Sequence, residues 1–131
     1  MITVELARAL QAAGVRWTPQ PGDRFVIDAG DLHGDVFWIS ELTVEVQRVA
    51  GGEVLGFNGT TEWALDSVTL DQSLWLPRED QLRDLLGDMF VSLSRQDGAW
   101  SVTTSLREDP RTTVEADVEI AYAAALLDRL E

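Results

Sequence analysis

The chain has 131 residues with no cysteine, no lysine, one histidine and four prolines. Without cysteine there is no disulfide, no thiolate metal site and no thiol nucleophile, which suits a reducing compartment. Without lysine, Gly56-Phe57-Asn58-Gly59 is not a phosphate-binding loop, since no Gly-Lys follows. With one histidine, any Ser-His-Asp arrangement rests on His33 alone, and Ser92, Ser94, Ser101 and Ser105 have no other base. No uncharged apolar run approaches the roughly 18 residues of a membrane span. Glu5 and Arg8 interrupt what would be the apolar stretch of a signal peptide. The sequence therefore predicts a cytoplasmic protein with no membrane partner.

What is abundant is negative charge. There are 23 Asp and Glu against 10 basic residues, all Arg, for a net charge of −13 and a pI near 4.2. Such a surface repels a phosphate backbone or an anionic membrane, so no direct nucleic-acid binding is expected. Arginine without lysine fits a GC-rich coding bias. Charge is uneven: residues 1–22 sum to +1, 23–66 to −7 and 67–131 to −7. At 45 % hydrophobic residues, with five Trp and four Phe, the chain can build a core.

The length suits one domain over residues 1–131. Thr3 is placed to cap a first helix carrying Leu6, Leu10 and Ala13 on one side, with Gly14 ending it. Trp17 to Gly22 holds two prolines and reads as an extended link. Arg24–Ile27 reads as a strand, 28–35 as a Gly/Asp loop, and Val36–Ile39 as a strand buried on both faces. Thr43 to Val49 alternates before a Gly51-Gly52 turn, which would set Val46 against Phe57 and Arg48 against Leu55.

Thr60 or Thr61 would cap a short helix through Trp63 and Leu65. Pro77 opens a helix with Leu82, Leu85 and Leu86 on one face, and Gly87 stops it. Asp97-Gly98 is a strong hairpin turn, pairing Arg95 with Trp100, Leu93 with Val102, Val91 with Thr104 and Met89 with Leu106. One face of this hairpin is mainly apolar; the other (Ser92, Ser94, Ser101, Thr103) is polar. Asp117 caps an Ala/Leu-rich last helix whose three consecutive alanines allow close approach to a sheet. The order predicts an α+β domain, an antiparallel sheet built from hairpins with helices on one side.

The candidate site residues are few. His33 with Asp31 and Asp35 is a conceivable metal set, but the loop lacks the calcium-loop spacing and a solvated histidine explains it as well. No metal or other cofactor is expected. Glu62 and Asp66 lie i, i+4 and would pair as acid and base only in a cleft that splits their pKa values. Asn58-Gly59-Thr60 matches a glycosylation sequon, yet reads better as a turn and cap. Trp17, beside two prolines, is the best candidate for a partly exposed aromatic anchor; Trp38, Trp63, Trp75 and Trp100 read as core.

Two segments carry a resemblance: Gly56-Phe-Asn-Gly-Thr-Thr-Glu-Trp-Ala-Leu-Asp-Ser67 and Trp75-Leu-Pro-Arg-Glu-Asp-Gln-Leu82. Together they resemble a family of small acidic proteins of high-GC Gram-positive bacteria, some of which are labelled pilus-assembly proteins. The resemblance implies a bacterial protein and supplies no active site. A pilus-assembly ATPase would need the phosphate loop this chain lacks.

Three functions follow as expectations. The first is a non-catalytic interaction or adaptor module with an unidentified protein partner, able to form a homo-oligomer through a sheet edge or helix face. The second is a nucleic-acid mimic using Asp23, Asp28, Asp31, Asp35, Glu41 and Glu45. The third is a small-ligand binder or enzyme using His33, Glu62 and Asp66.

Overall fold

In a computed structural model the described residues are 1–27, 35–39, 44–49, 52–57, 67–69 and 72–131, with 44–49, 52–57 and 67–69 described by backbone pairing. Asp31, His33, Glu62, Asp66 and the helix expected after Thr60 or Thr61 lie outside them. The fold is α+β. Three helices are described, α1 (Val4–Ala12), α2 (Glu79–Leu86) and α3 (Val118–Leu130). The strands are β1 (Arg24–Ile27), β2 (Val36–Trp38), β3 (Val44–Val49), β4 (Gly52–Phe57), β5 (Ser67–Thr69), β6 (Ser73–Trp75), β7 (Phe90–Gln96), β8 (Ala99–Leu106) and β9 (Asp109–Glu115). They form three antiparallel sheets in the orders β2-β1-β6, β3-β4-β5 and β7-β8-β9.

Contacts gather the chain into two compact units. One joins Met1–Arg16 to Pro77–Glu131; the other is Trp17–Leu76.

In the first unit, local chemistry starts and stops α1 and α3 where the sequence places the signals, while α2 begins at Glu79 behind an Arg78 cap, two residues after the expected Pro77 start. The Leu6 amide donates to Thr3 Oγ1 at 3.1 Å, capping α1. Asp117 Oδ1 accepts from the Glu119 and Ile120 amides at 2.8 and 3.1 Å, capping α3. The Arg78 amide donates to Gln81 Oε1 at 3.0 Å at the head of α2. Gly87 then ends α2 at φ 55°, a left-handed conformation that suits glycine. Leu82 and Leu86 are buried on α2, and each such leucine stabilises the fold by about 2 kcal/mol.

α3 lies against β8 and β9, while α1 and α2 pack against α3. Ala121, Ala123 and Ala125 are buried there, small enough to let the helix backbone close on its neighbours. Arg129 locks this contact. Its Nε donates to Thr104 Oγ1 at 2.9 Å, and its Nη2 to the carbonyls of Thr104 and Asp109 at 3.1 and 2.6 Å. The arginine side chain is only 2 % exposed, so these oxygens replace its water.

The Asp97-Gly98 hairpin has both turn residues left-handed, at φ 55° and 78°. Arg95 pairs with Trp100 and Leu93 with Val102, as the turn predicts. Beyond Ser92 a bulge breaks the count, and Phe90 rather than Val91 pairs with Thr104. The extra residue turns Val91 outward, to 55 % exposure, and lets Phe90 meet the buried Tyr122 ring at 5.8 Å. Met89 stands in a 3-10 turn before the strand, not opposite Leu106. β9 is a third strand of this sheet that the sequence reading does not contain.

In the second unit, β1 is the central strand of its sheet and is buried along its whole length. β2 corrects an expectation. Val36–Ile39 was expected to be buried on both faces, but among the described residues β2 pairs only with β1 and lies at the edge of its sheet, with Val36 and Trp38 exposed. The β3–β4 register also moves: Val44 pairs with Phe57, Val46 with Leu55 and Arg48 with Glu53. The pairs are thus displaced by two residues from those a Gly51-Gly52 turn would set, an even shift under which Val44, Val46, Leu55 and Phe57 are paired with one another.

Candidate interaction surface

The β2 edge is built from β1 outward. Arg24 and Trp38 are direct partners across the β1–β2 ladder. Arg24 is 7 % exposed, and its Nε donates to the Leu76 carbonyl at 3.0 Å. The backbone returns this link, since the Leu76 amide donates to the Arg24 carbonyl at 2.9 Å. The guanidinium carbon then lies 5.8 Å from the centre of the Trp38 ring, within reach of a cation–π contact. Trp38 is nonetheless 54 % exposed. Val36 shares its side of the strand, two residues away, and Asp35 is exposed just before it.

An aromatic cluster backs this edge within the same unit. Phe37 stacks on Phe25 at 5.7 Å, Phe25 meets Trp17 at 5.5 Å, and Trp17 stacks on Trp75 at 6.4 Å with the rings 6° from parallel. Asp23, 2 % exposed, ties the cluster down. Its Oδ2 accepts from Trp17 Nε1 at 2.8 Å and from the Gln20 amide at 3.0 Å. Its carbonyl accepts from the Ile39 amide at 2.8 Å, which anchors the far end of β2. Trp75 Nε1 and the Tyr122 hydroxyl are the buried side-chain polar atoms without a hydrogen-bond partner among the described residues.

These positions answer several expectations. Trp17 is half-buried, and its ring and nitrogen are both engaged, so its observed contacts are those of packing at the edge of the core. Trp38, expected in the core, is the exposed aromatic among the described residues. Asp23 is buried and hydrogen-bonded, so it is withdrawn from the acidic face to which the sequence assigned it. Asp35 is exposed and stands near Trp38 in sequence. Among the described residues no group of three His, Asp or Glu is placed to hold a metal ion. No described helix is long and apolar enough to cross a membrane.

Sequence reasoning missed Trp38 because four apolar residues in a row look the same on an edge as in a centre. The signal available was brevity: a short run with Asp35 directly before it suits a sheet edge, where charge discourages indiscriminate pairing. No family model matches the chain, and no curated protein or solved structure is detectably similar to it.

Proposed function

We propose that this protein is a non-catalytic cytoplasmic interaction module, an adaptor whose contact surface is the β2 edge centred on Trp38. The observation that carries the reading is a tryptophan held from behind by a buried arginine yet more than half exposed. A large ring that is already positioned loses little side-chain freedom on binding, which is the usual character of an interface anchor. The partner is a protein segment with apolar residues for Trp38 and Val36 and a basic residue for Asp35. The net charge of −13 favours that sign of partner at long range.

The test is partner retention from native lysate by the tagged chain and by its Trp38→Ala variant, eluted along a salt gradient. Circular dichroism establishes that the variant is folded. The reading predicts a protein held by the wild type, released as salt rises, and absent from the variant. The same proteins retained by both, or a partner indifferent to salt, would overturn it. So would a catalytic turnover abolished by Glu62→Ala.

A further inference from the structure

Asp97-Gly98 is the one Asp-Gly pair in the sequence. It makes up the whole β7–β8 turn: the ladder closes at Gln96 and Ala99, and Asp97 and Gly98 stand outside it at φ 55° and 78°. Both are exposed. A Cβ built on Gly98 would meet nothing within 4 Å, so no neighbour crowds this end of the hairpin.

Other described aspartates are restrained. Asp23 is buried and accepts from Trp17 Nε1. Asp117 caps α3 and holds the Met1 amine. Asp128 lies within α3 and accepts from Arg111. Asp109 also accepts from Arg111, and Pro110 after it has no N–H. Among the described residues the Asp97 carboxylate has neither a hydrogen bond nor an ion pair.

We infer that Asp97-Gly98 is a site of spontaneous covalent modification in the folded protein, where the Asp97 carboxyl closes on the Gly98 amide and reopens as isoaspartate. First, the Gly98 nitrogen bonds to Asp97 Cγ. The carboxyl hydroxyl leaves with the amide proton as one water, and a five-membered succinimide remains. Then one water adds to the Asp97 main-chain carbonyl carbon, the bond from that carbon to the Gly98 nitrogen breaks, and the nitrogen takes the proton. The chain now runs through Cγ, and the old carbonyl is a free carboxylate. One water is released and one consumed, so no other reactant is needed.

Glycine permits the attack, because a side chain at position 98 would crowd the nitrogen as it turns toward Cγ. Closure also requires Asp97 to rotate out of its left-handed conformation, and an exposed hairpin tip opens locally with little loss of contact. The product adds one methylene to a two-residue turn whose length sets the strand register. Gln96–Ala99 and Arg95–Trp100 are the pairs nearest the change. The site lies in the unit that does not contain Trp38, so the inference stands apart from the proposed function.

The experiment ages the full chain in mildly acidic buffer made with heavy-oxygen water, folded and in urea, and then digests it with trypsin in ordinary water. With no lysine in the chain, cleavage at Arg95 and Arg107 releases the peptide Gln96–Arg107, in which Asp97 is the one acid. In the folded sample this peptide should gain a form lighter by one water, then one of the original formula carrying one heavy oxygen. The peptides holding Asp109, Asp117 and Asp128 should lag behind it. Asp97→Glu should abolish the change, since closure would need a six-membered ring. The turn should survive that substitution, because Glu108 already holds a left-handed conformation in the next hairpin. The modified protein should melt about 4 °C lower. No heavy oxygen at Asp97 in the folded sample, uptake confined to the urea sample, or equal uptake at Asp117 would overturn the inference. So would conversion at an unchanged rate in Asp97→Glu, or a modified protein that melts like the original.

Discussion

Arg24 supports Trp38 from beneath: the two are cross-strand partners, with the guanidinium carbon 5.8 Å from the ring centre. The same pairing recurs in the other unit between Arg95 and Trp100, also cross-strand partners, at 5.3 Å. The two pairs differ in what they leave open. Arg24 is buried and hydrogen-bonded, so its tryptophan is the exposed member; Arg95 is exposed and its tryptophan is half-buried.

That asymmetry predicts unequal costs. Arg24→Ala removes a buried charged donor from the Leu76 carbonyl and should destabilise the fold by about 2 kcal/mol. Trp38→Ala should cost under about 1 kcal/mol, because more than half of the ring is in water. Urea unfolding of both variants checks the ranking; equal losses would mean that Trp38 is part of the core.

Arg129 should not tolerate lysine. Three donors on one planar group reach Thr104 and Asp109, and an ammonium cannot reproduce that fork. Arg129→Lys should lower the unfolding free energy by about 2 kcal/mol, measured by urea denaturation. A loss within error would show that water replaces the missing contacts.

The turn between β8 and β9 holds Arg107 and Glu108 at φ 52° and 64°, both left-handed. Such residues are strained there, and Asn-Gly suits the geometry. Arg107→Asn with Glu108→Gly should raise stability by about 1 kcal/mol, seen as a higher melting temperature. Unchanged melting would mean the turn relaxes at no cost.

Acid should weaken the head of α3. The α-amino group of Met1, 2.7 Å from Asp117, holds that carboxyl below its ordinary value of 3.8, with help from the Ile120 and Glu119 amides and against the opposing effect of burial. A depressed folded-state pKa means a stabilising contribution present above 3.8 and lost as pH falls through the lower folded value. Asp117→Ala should cost about 1 kcal/mol near neutral pH and flatten that part of the acid limb. Stability measured against pH for both proteins decides it; parallel curves would remove Asp117 from the acid response.

Much of this fold was legible where a short stretch contains its own instruction. Thr3, Asp117 and Gly87 mark helix ends, and Asp97-Gly98 marks a turn, because each needs only neighbouring backbone to act. The bulge at Val91 was not legible, since it depends on bringing Phe90 to Tyr122, a residue far along the chain. β9 was hidden for two reasons: its turn uses Arg107 and Glu108 rather than glycine or asparagine, and Pro110 argues against a strand anywhere but at an edge. The site divided in the same way. The prolines beside Trp17 pointed to an exposed anchor, but the ring packs on Phe25 and Trp75; the exposure of Trp38 follows from strand order, which no local pattern encodes.

The discontinuous unit has a consequence for how the chain acquires its structure. α1 packs against α3, yet residues 17–76 are made between them, and α3 is made after those. An emerging chain therefore carries α1 without its α3 partner until residues 118–130 have left the ribosome. Contacts of such long sequence separation form slowly. The inserted unit, with all its strands contiguous, can close first, leaving the flanking unit to assemble as the later and more vulnerable step.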